Sequence, residues 1–234
     1  MYERVRNDSL NNQHRRHSAF TLAEILITLL IVGVIASLVI PNIIGDTKEN
    51  EYNVRAKKAY ADLSQAVLTG LGGSSTGGSA ASFRDDFCNI MTCVQKGTGS
   101  EIFGSISYKS YKGGVVSGSS YGPTNSGIQD SAVMQNGSLI QLGSYTSCGD
   151  NGNVGLNICG YIVDDTNGKQ EPNMWGRDLY MFAVVKNTNG YTVVPIGSPN
   201  DNIGNTNKGG EGCKAGTGKY GCTYVRVITP NDMP

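Results

Sequence analysis

The residues able to do chemistry are few in this sequence, and one of them is an acid in an apolar run. Glu24 is the only charged residue of residues 18–41 and lies near the start of that run. A carboxylate in such a segment costs free energy unless it has a partner or a function. Its position therefore predicts either pairing with a cation or, because the end of the run is close, snorkelling to the interface.

A second candidate is the acid-rich segment at residues 163–178. It supplies hard oxygen ligands around Gly168, namely Asp164, Asp165, Asn167, Glu171 and Asp178. Ca²⁺ binds such oxygens and tolerates loop geometry, although the full EF-hand spacing is absent. We predict a Ca²⁺ site with Asp165, Asn167 and Asp178 as ligands. The alternative is an Asx-rich turn between two strands, in which the aspartates cap backbone amides.

The sequence has few residue patterns that are typical of catalytic sites. Both histidines, His14 and His17, lie near the N-terminus, so the rest of the chain has no Ser-His-Asp or Cys-His arrangement. The Gly-rich loops lack the residues of a P-loop or a dinucleotide-binding fingerprint. The adjacent acids Asp85 and Asp86 are interpreted as solvated, and Trp175 as a local core residue. The sequence predicts a protein that is not an enzyme.

Cysteine spacing is informative. The six cysteines fall into three close pairs, and they follow an apolar targeting segment. That combination indicates disulfides formed in an oxidising compartment. We predict local pairing among the many connectivities that six cysteines allow. A metal site is the competing interpretation, but CxxC spacing is absent and no histidine follows residue 17. The predicted pairs are Cys88 with Cys93, Cys148 with Cys159, and Cys213 with Cys222.

The apolar run has the length of a membrane span. Residues 20–40 as a helix extend about 30 Å, close to the hydrocarbon thickness of a bilayer. An ordinary signal peptide is one interpretation, but the preceding segment is long and polar and the run exceeds the usual apolar core. A plain membrane anchor is another. Basic residues lie on both sides of it, so charge alone does not orient it. They are Arg15 and Arg16 before it and Lys48, Arg55, Lys57 and Lys58 after it.

A third interpretation rests on a resemblance. The segment AFTLAE at residues 19–24 resembles the class III signal of type IV pilins and type II secretion pseudopilins. In that family a prepilin peptidase cuts after a small residue and methylates the new N-terminus, so the apolar helix is retained. The matching positions are Ala19 and Phe20 at the cut and Glu24 four residues later. Ala19 stands where the family usually has glycine, and Pro41 matches the family's helix-kinking proline.

The resemblance implies a mode of assembly. Residues 1–19 would be a cleaved leader, and the new ammonium of one subunit would neutralise Glu24 of a neighbour, which offsets the cost of burying the charge. The implied partners are further copies of the chain, a prepilin peptidase, the inner membrane and the pilus or secretion machinery. The implied location is the bacterial inner membrane and then a periplasmic or cell-surface filament. With 19 basic and 19 acidic residues, nucleic acid is not predicted as a direct ligand.

The predicted fold class is α+β and pilin-like, with a long kinked N-terminal helix packed on an antiparallel β-sheet. A helix covers residues 20–70, with local kinking or melting at Pro41. Residues 71–130 are predicted to be a Gly/Ser-rich loop region with a short helix at 83–94 and weak strand signals at 102–108. Residues 131–234 are predicted to form an antiparallel β domain with strands near 156–163, 179–186, 191–196 and 222–228. Asn136-Gly137 predicts a type I′ hairpin.

The apolar stripe of the predicted helix recurs at helical spacing. Its members are Tyr52, Ala56, Ala59, Tyr60, Leu63 and Val67. This stripe should pack on the sheet.

The sequence is compatible with two functions. The first is a structural subunit of a type IV pilus or type II secretion pseudopilus, and the long Gly/Ser loops and cysteine pairs favour a surface pilin. The alternative is a monomeric, membrane-anchored extracellular binding or adhesion domain. It would keep residues 1–19, or be cut by an ordinary signal peptidase.

Overall fold

The computed structural model describes residues 20–70, 80–116, 130–149, 156–197, 213 and 222–230. The chain divides into two compact units, Met1–Asp46 and Thr47–Pro234. In the first unit the described residues are mostly the beginning of helix α1, Leu22–Gly70. Among the described residues, α1 is the one helix long and apolar enough to cross a membrane, and its apolar window is not buried within the protein.

Pro41 lies inside α1. Proline lacks the amide that would donate to the carbonyl four residues earlier, and its ring crowds that turn. The helical backbone nevertheless continues through this position, so the predicted local melting is not seen. The predicted kink stays a prediction.

The second unit is built on a six-stranded antiparallel sheet. Each strand pairs with the next along the chain, in the order β1 to β6. The long helix and the antiparallel sheet confirm the predicted α+β, pilin-like arrangement. The strands are β1 Cys93–Thr98, β2 Asp130–Met134, β3 Leu139–Gly149, β4 Ile158–Asp165, β5 Leu179–Asn187 and β6 Gly190–Pro195.

One face of the sheet packs against the second half of α1. The predicted stripe is confirmed from Ala56 onward, because Ala56, Ala59, Leu63 and Val67 are buried in one apolar cluster and Tyr60 is partly buried beside it. Tyr52, its first predicted member, is not part of this cluster. Helix α2, Ala80–Ile90, adds two aromatic side chains to this cluster. The sheet side chains in the cluster include Met134, Ile140, Ile162, Tyr180, Phe182 and Val184.

The opposite face is also covered. Helix α3, Gly99–Phe103, packs there together with Tyr108 and Trp175. Trp175 is 1% exposed, so its predicted place in the local core is confirmed. Because both faces are covered, all eight residues of β4 are buried.

Three disulfides close short loops. They join Cys88 to Cys93, Cys148 to Cys159 and Cys213 to Cys222, as the spacing predicted. The six cysteines are therefore paired in disulfides, and the alternative interpretation, that they bind a metal, is wrong. Helix α2 ends at Ile90 and Cys93 begins strand β1, so the predicted helix at 83–94 is wrong in its last four residues.

The predicted strand near residues 102–108 is wrong, because α3 occupies its beginning. Thr98 and Glu101 form a capping box. The Glu101 amide donates to Thr98 Oγ1 at 3.4 Å, and the Thr98 amide donates to Glu101 Oε2 at 2.7 Å. Gly104, with φ +63°, follows as the C-cap. The predicted loop region at 71–130 therefore contains two helices and an edge strand, whereas residues 71–79 and 117–129 lie outside the described residues.

The predicted last strand at residues 222–228 is also wrong. This segment is helix α4, Cys222–Ile228. Its β-branched composition favours a strand, but tertiary contacts override local propensity. Thr223 Oγ1 accepts a hydrogen bond from the Met181 amide at 2.9 Å, and Cys222 and Val225 are fully buried.

Arg226, on α4, is buried and ties three parts of the unit together. Its Nε donates to the carbonyl oxygen of Gly176 at 2.6 Å. One terminal nitrogen donates to Asn53 Oδ1 at 2.9 Å, and the other pairs with Glu49 Oε2 at 2.5 Å. A buried guanidinium requires such a set of acceptors, because an unpaired charge in the interior is strongly destabilising.

The hairpin at Asn136-Gly137 is present, but its turn type differs from the prediction. Gly137 has φ +86°, whereas among the described residues Asn173 is the only non-glycine with positive φ. A type I′ turn needs positive φ at both central positions. The Gly137 amide donates to the Met134 carbonyl oxygen at 2.9 Å, and the Met134 amide donates to Ser138. This is a three-residue loop ending in a glycine bulge.

The packed stripe of α1 gives a direct stability prediction. Leu63 is 2% exposed, whereas Leu68 on the same helix is 62% exposed. Leu63→Ala should lower the free energy of unfolding by about 2–5 kcal/mol, because it leaves a cavity in the core. Leu68→Ala is the matched control and should change it by less than about 0.5 kcal/mol. Urea unfolding of the full chain in detergent measures both, and equal effects would contradict the packing described.

Candidate functional site

The first site is the beginning of α1. Glu24 Oε2 accepts hydrogen bonds from the Thr21 amide at 2.8 Å and from Thr21 Oγ1 at 2.9 Å. In return the Glu24 amide donates to Thr21 Oγ1 at 3.3 Å. These are the reciprocal contacts of a capping box, and they place the carboxylate at the positive end of the helix dipole. Thr21 is not among the predicted site residues, although its T-x-x-E spacing with Glu24 is the sequence signal of a capping box.

Phe20 and Glu24 are both on the surface of the described chain. The Phe20 side chain is 80% exposed, and Glu24 lies one turn further along. Ala19 lies outside the described residues. The Glu24 carboxylate is thus bonded to the amide of Thr21, the residue that directly follows Phe20.

The same segment matches a known family description. The family of the prokaryotic N-terminal methylation motif matches residues 14–40, which include Phe20, Thr21 and Glu24. The N-terminal segment is thus similar to that of pilins and pseudopilins. The match ends at residue 40 and thus leaves the β domain outside it.

Two curated relatives carry the same name. The chain is 41% identical over 51 residues to type II secretion system core protein G of Aeromonas hydrophila, which is 22% of this chain and 33% of that protein. It is 43% identical over 49 residues to the protein of that name from Dickeya chrysanthemi, covering 21% and 29%. The chain thus spans about a third of the length of these relatives. No solved structure matches.

The second site is the acid-rich loop between β4 and β5. Asp178 organises it, because Oδ2 accepts from the Asn173 amide and Oδ1 from the Met174 amide, each at 2.7 Å. Its carbonyl oxygen also accepts from the amide and the hydroxyl of Thr166, at 2.9 and 3.1 Å. Asp178 is fully buried. These contacts are those of an Asx-rich turn.

Asp165 lies at the same end of the sheet and meets a residue distant in sequence. Its Oδ2 accepts a hydrogen bond from the Tyr108 hydroxyl at 2.7 Å, and both groups are buried. Burial raises the pKa of Asp165 to about 8, and the bond from Tyr108 opposes that rise. Nothing in the sequence signalled Tyr108, because its partner lies 57 positions away.

Of the predicted ligands, the structure brings Asp165, Asn167 and Asp178 into one loop cluster. The Asn167 backbone contacts the Asp165 carboxylate, and its side chain contacts that of Asp178. Burial raises the pKa of Asp178, and the amides of Met174 and Asn173 oppose that rise. Asp164 is separated from this cluster, because successive residues of β4 point to opposite faces of the sheet.

The residues of this cluster meet only some of the requirements of a site for a hard cation. Three carboxylate oxygens, both of Asp178 and one of Asp165, already accept protein hydrogen bonds. Within the described ranges, the buried oxygens Asp165 Oδ1 and Asn167 Oδ1 have no hydrogen-bond partner. Among the described residues, no group of three His, Cys, Asp or Glu side chains is placed to hold a metal. Calcium binding through Asp165, Asn167 and Asp178 stays a prediction.

We predict that Ca²⁺ raises the melting temperature of the full chain and that EDTA reverses the rise, because a bound cation would satisfy the orphaned oxygens. Asp165→Asn should abolish the difference between the two conditions. Asp85→Asn, on the surface, should retain it. Superimposable melting curves of the wild type with Ca²⁺ and with EDTA would contradict the prediction and leave a turn held by hydrogen bonds.

Asp165 also predicts a pH dependence, measured in EDTA. Its pKa is raised in the folded state, so the folded protein binds a proton more tightly than the unfolded chain does. This contribution to stability is present below about pH 4 and is lost as the pH rises to about 8. The melting temperature of the wild type should fall between pH 5 and 8, and Asp165→Asn should reduce that fall. An unchanged slope in the variant, with Asp130→Asn as control, would contradict the assignment.

Proposed function

We propose that this chain is a structural subunit of a type IV pilus or type II secretion pseudopilus. The observation that carries the proposal is the N-terminal methylation motif at residues 14–40. The family is structural, and we propose no catalytic role. The two relatives are named for type II secretion, which favours the pseudopilus among these filaments.

The proposed mechanism begins at the membrane. The leader, residues 1–19, stays in the cytoplasm while the apolar part of α1 enters the inner membrane. A prepilin peptidase cuts between Ala19 and Phe20, and the apolar helix is retained. The exposed apolar surface of this helix then has two suitable surroundings, lipid before assembly and other copies of the helix afterwards.

In this assembly, Glu24 sets how neighbouring helices are aligned along their length. In an apolar surrounding, a carboxylate and an ammonium attract each other strongly, and leaving one unpaired is costly. The capping box holds the Glu24 carboxylate at the helix end, where a neighbour's new amine could reach it. Subunits that align these two charges are therefore favoured over subunits shifted along the helix. The assembled filament would lie in the periplasm or at the cell surface.

The runner-up is a monomeric, membrane-anchored binding domain. It needs no cut at Phe20 and no pairing of Glu24. The β domain lies outside the family match, so its own sequence does not favour one function over the other. The two proposals predict different N-terminal residues for the native chain.

Intact mass and N-terminal sequencing of the native protein test the proposal. We expect a chain that begins at Phe20 and is about 14 Da heavier than the unmodified sequence, because one methyl group is added. Glu24→Gln should be cut normally but lost from the sheared filament fraction. Glu51→Gln, an exposed acid further along α1, should assemble as the wild type does. An intact leader, or a cut after Ala36, would support the membrane-anchored alternative instead.

A further inference from the structure

A cavity of about 200 Å³ lies between the second half of α1 and the end of the sheet where β3 and β4 meet. A single ordered water occupies only about 10–15 Å³ on such a measure. The cavity therefore has room for several waters or for a small organic group. Its lining includes Asp164 and Thr166, but none of the predicted calcium ligands Asp165, Asn167 and Asp178 and no residue from the start of α1.

The walls combine apolar and polar side chains, and two acids, Asp62 and Asp164, lie among them. Leu63, Phe87 and Met134 supply apolar surface, whereas Asp164 supplies a carboxylate. Asp164 is 6% exposed, and its Oδ1 is buried without a hydrogen-bond partner among the residues that the structure describes. The Ser138 side chain bonds to the same carboxylate. A buried carboxylate oxygen without a donor is costly, so its position against a cavity points to a ligand that donates.

Two cations also line the cavity, but each has its own acid. Arg55 pairs with Glu51 at 2.5 Å, and Lys58 pairs with Asp62 at 2.9 Å. Both basic side chains are partly exposed. They do not form an ion pair with Asp164 in the described part of the chain. Asp164 is thus the buried acid of the lining that has no cation within ion-pair distance among the described residues, although the charge of Lys58 is near enough to oppose the rise of its pKa.

We propose that this cavity binds a primary ammonium group on an aliphatic stem. The ammonium would donate to Asp164 Oδ1, and the stem would lie against Leu63, Phe87 and Met134. An anion is disfavoured by the carboxylate. A divalent metal is disfavoured because a single carboxylate is far from the six to eight oxygens that Ca²⁺ takes. The ammonium could come from a free alkylamine or from a lysine side chain of a polypeptide.

Calorimetric titration of the full chain in a nonionic detergent tests the site. The probes are n-butylammonium for a free amine and Nα-acetyl-lysine N-methylamide for a lysine in a polypeptide, with empty micelles as the blank. Butan-1-ol is the uncharged match for the first probe. We expect saturable binding of at least one amine and none of the alcohol, a contrast that needs only the wild-type protein.

The variants place the binding at Asp164. Asp164→Asn should weaken amine binding about tenfold or more, because a charge-assisted hydrogen bond is lost. Asp85→Asn, an exposed acid on α2, should leave it within about twofold. Binding of the lysine probe alone would assign the ligand to a polypeptide, and binding of butylammonium alone to a free amine. No saturable binding of either amine, or equal binding by Asp164→Asn, would overturn the proposal and leave a water-filled cavity.

Discussion

Burial of the α1 stripe against the sheet is the contact on which the second unit depends. Ala56, Ala59, Leu63 and Val67 present small or aliphatic side chains, so the helix approaches the sheet closely. That contact requires each strand to turn an apolar face toward the helix. It also determines where the aromatic residues of α2 pack. A strand slipped by one residue would turn every side chain to the wrong face, so the stripe restricts the register of the sheet.

The alternation of β4 separates two adjacent acids. Asp164 points to the helix side, where it lines the cavity, and Asp165 points to the other side, where it meets Tyr108. Burial raises the pKa of each, to about 7 for Asp164 and about 8 for Asp165. Two neighbours in sequence thus belong to different sites. The free-energy cost of burying each carboxylate is offset by different hydrogen-bond partners.

Polar groups inside the unit connect segments that are far apart along the chain. Arg226 reaches Glu49 and Asn53 on α1 and the Gly176 carbonyl oxygen in the acid-rich loop. The Tyr180 hydroxyl donates to the Tyr52 carbonyl oxygen. These bonds specify geometry more than they add stability, because each polar group also loses its hydration when it is buried. The helix, the loop and α4 therefore adopt their positions together.

The sequence by itself determined the features that depend on local order. These features follow from spacing and periodicity: the AFTLAE segment, the helical stripe from Ala56 to Val67, the cysteine pairs and strands β4 to β6. Only the tertiary structure decided that residues 222–228 form a helix and that Tyr108 meets Asp165. It also decided that Asp164 lines a cavity apart from the loop cluster. The physical reason is that these outcomes depend on partners distant in sequence, whose contacts outweigh local propensity.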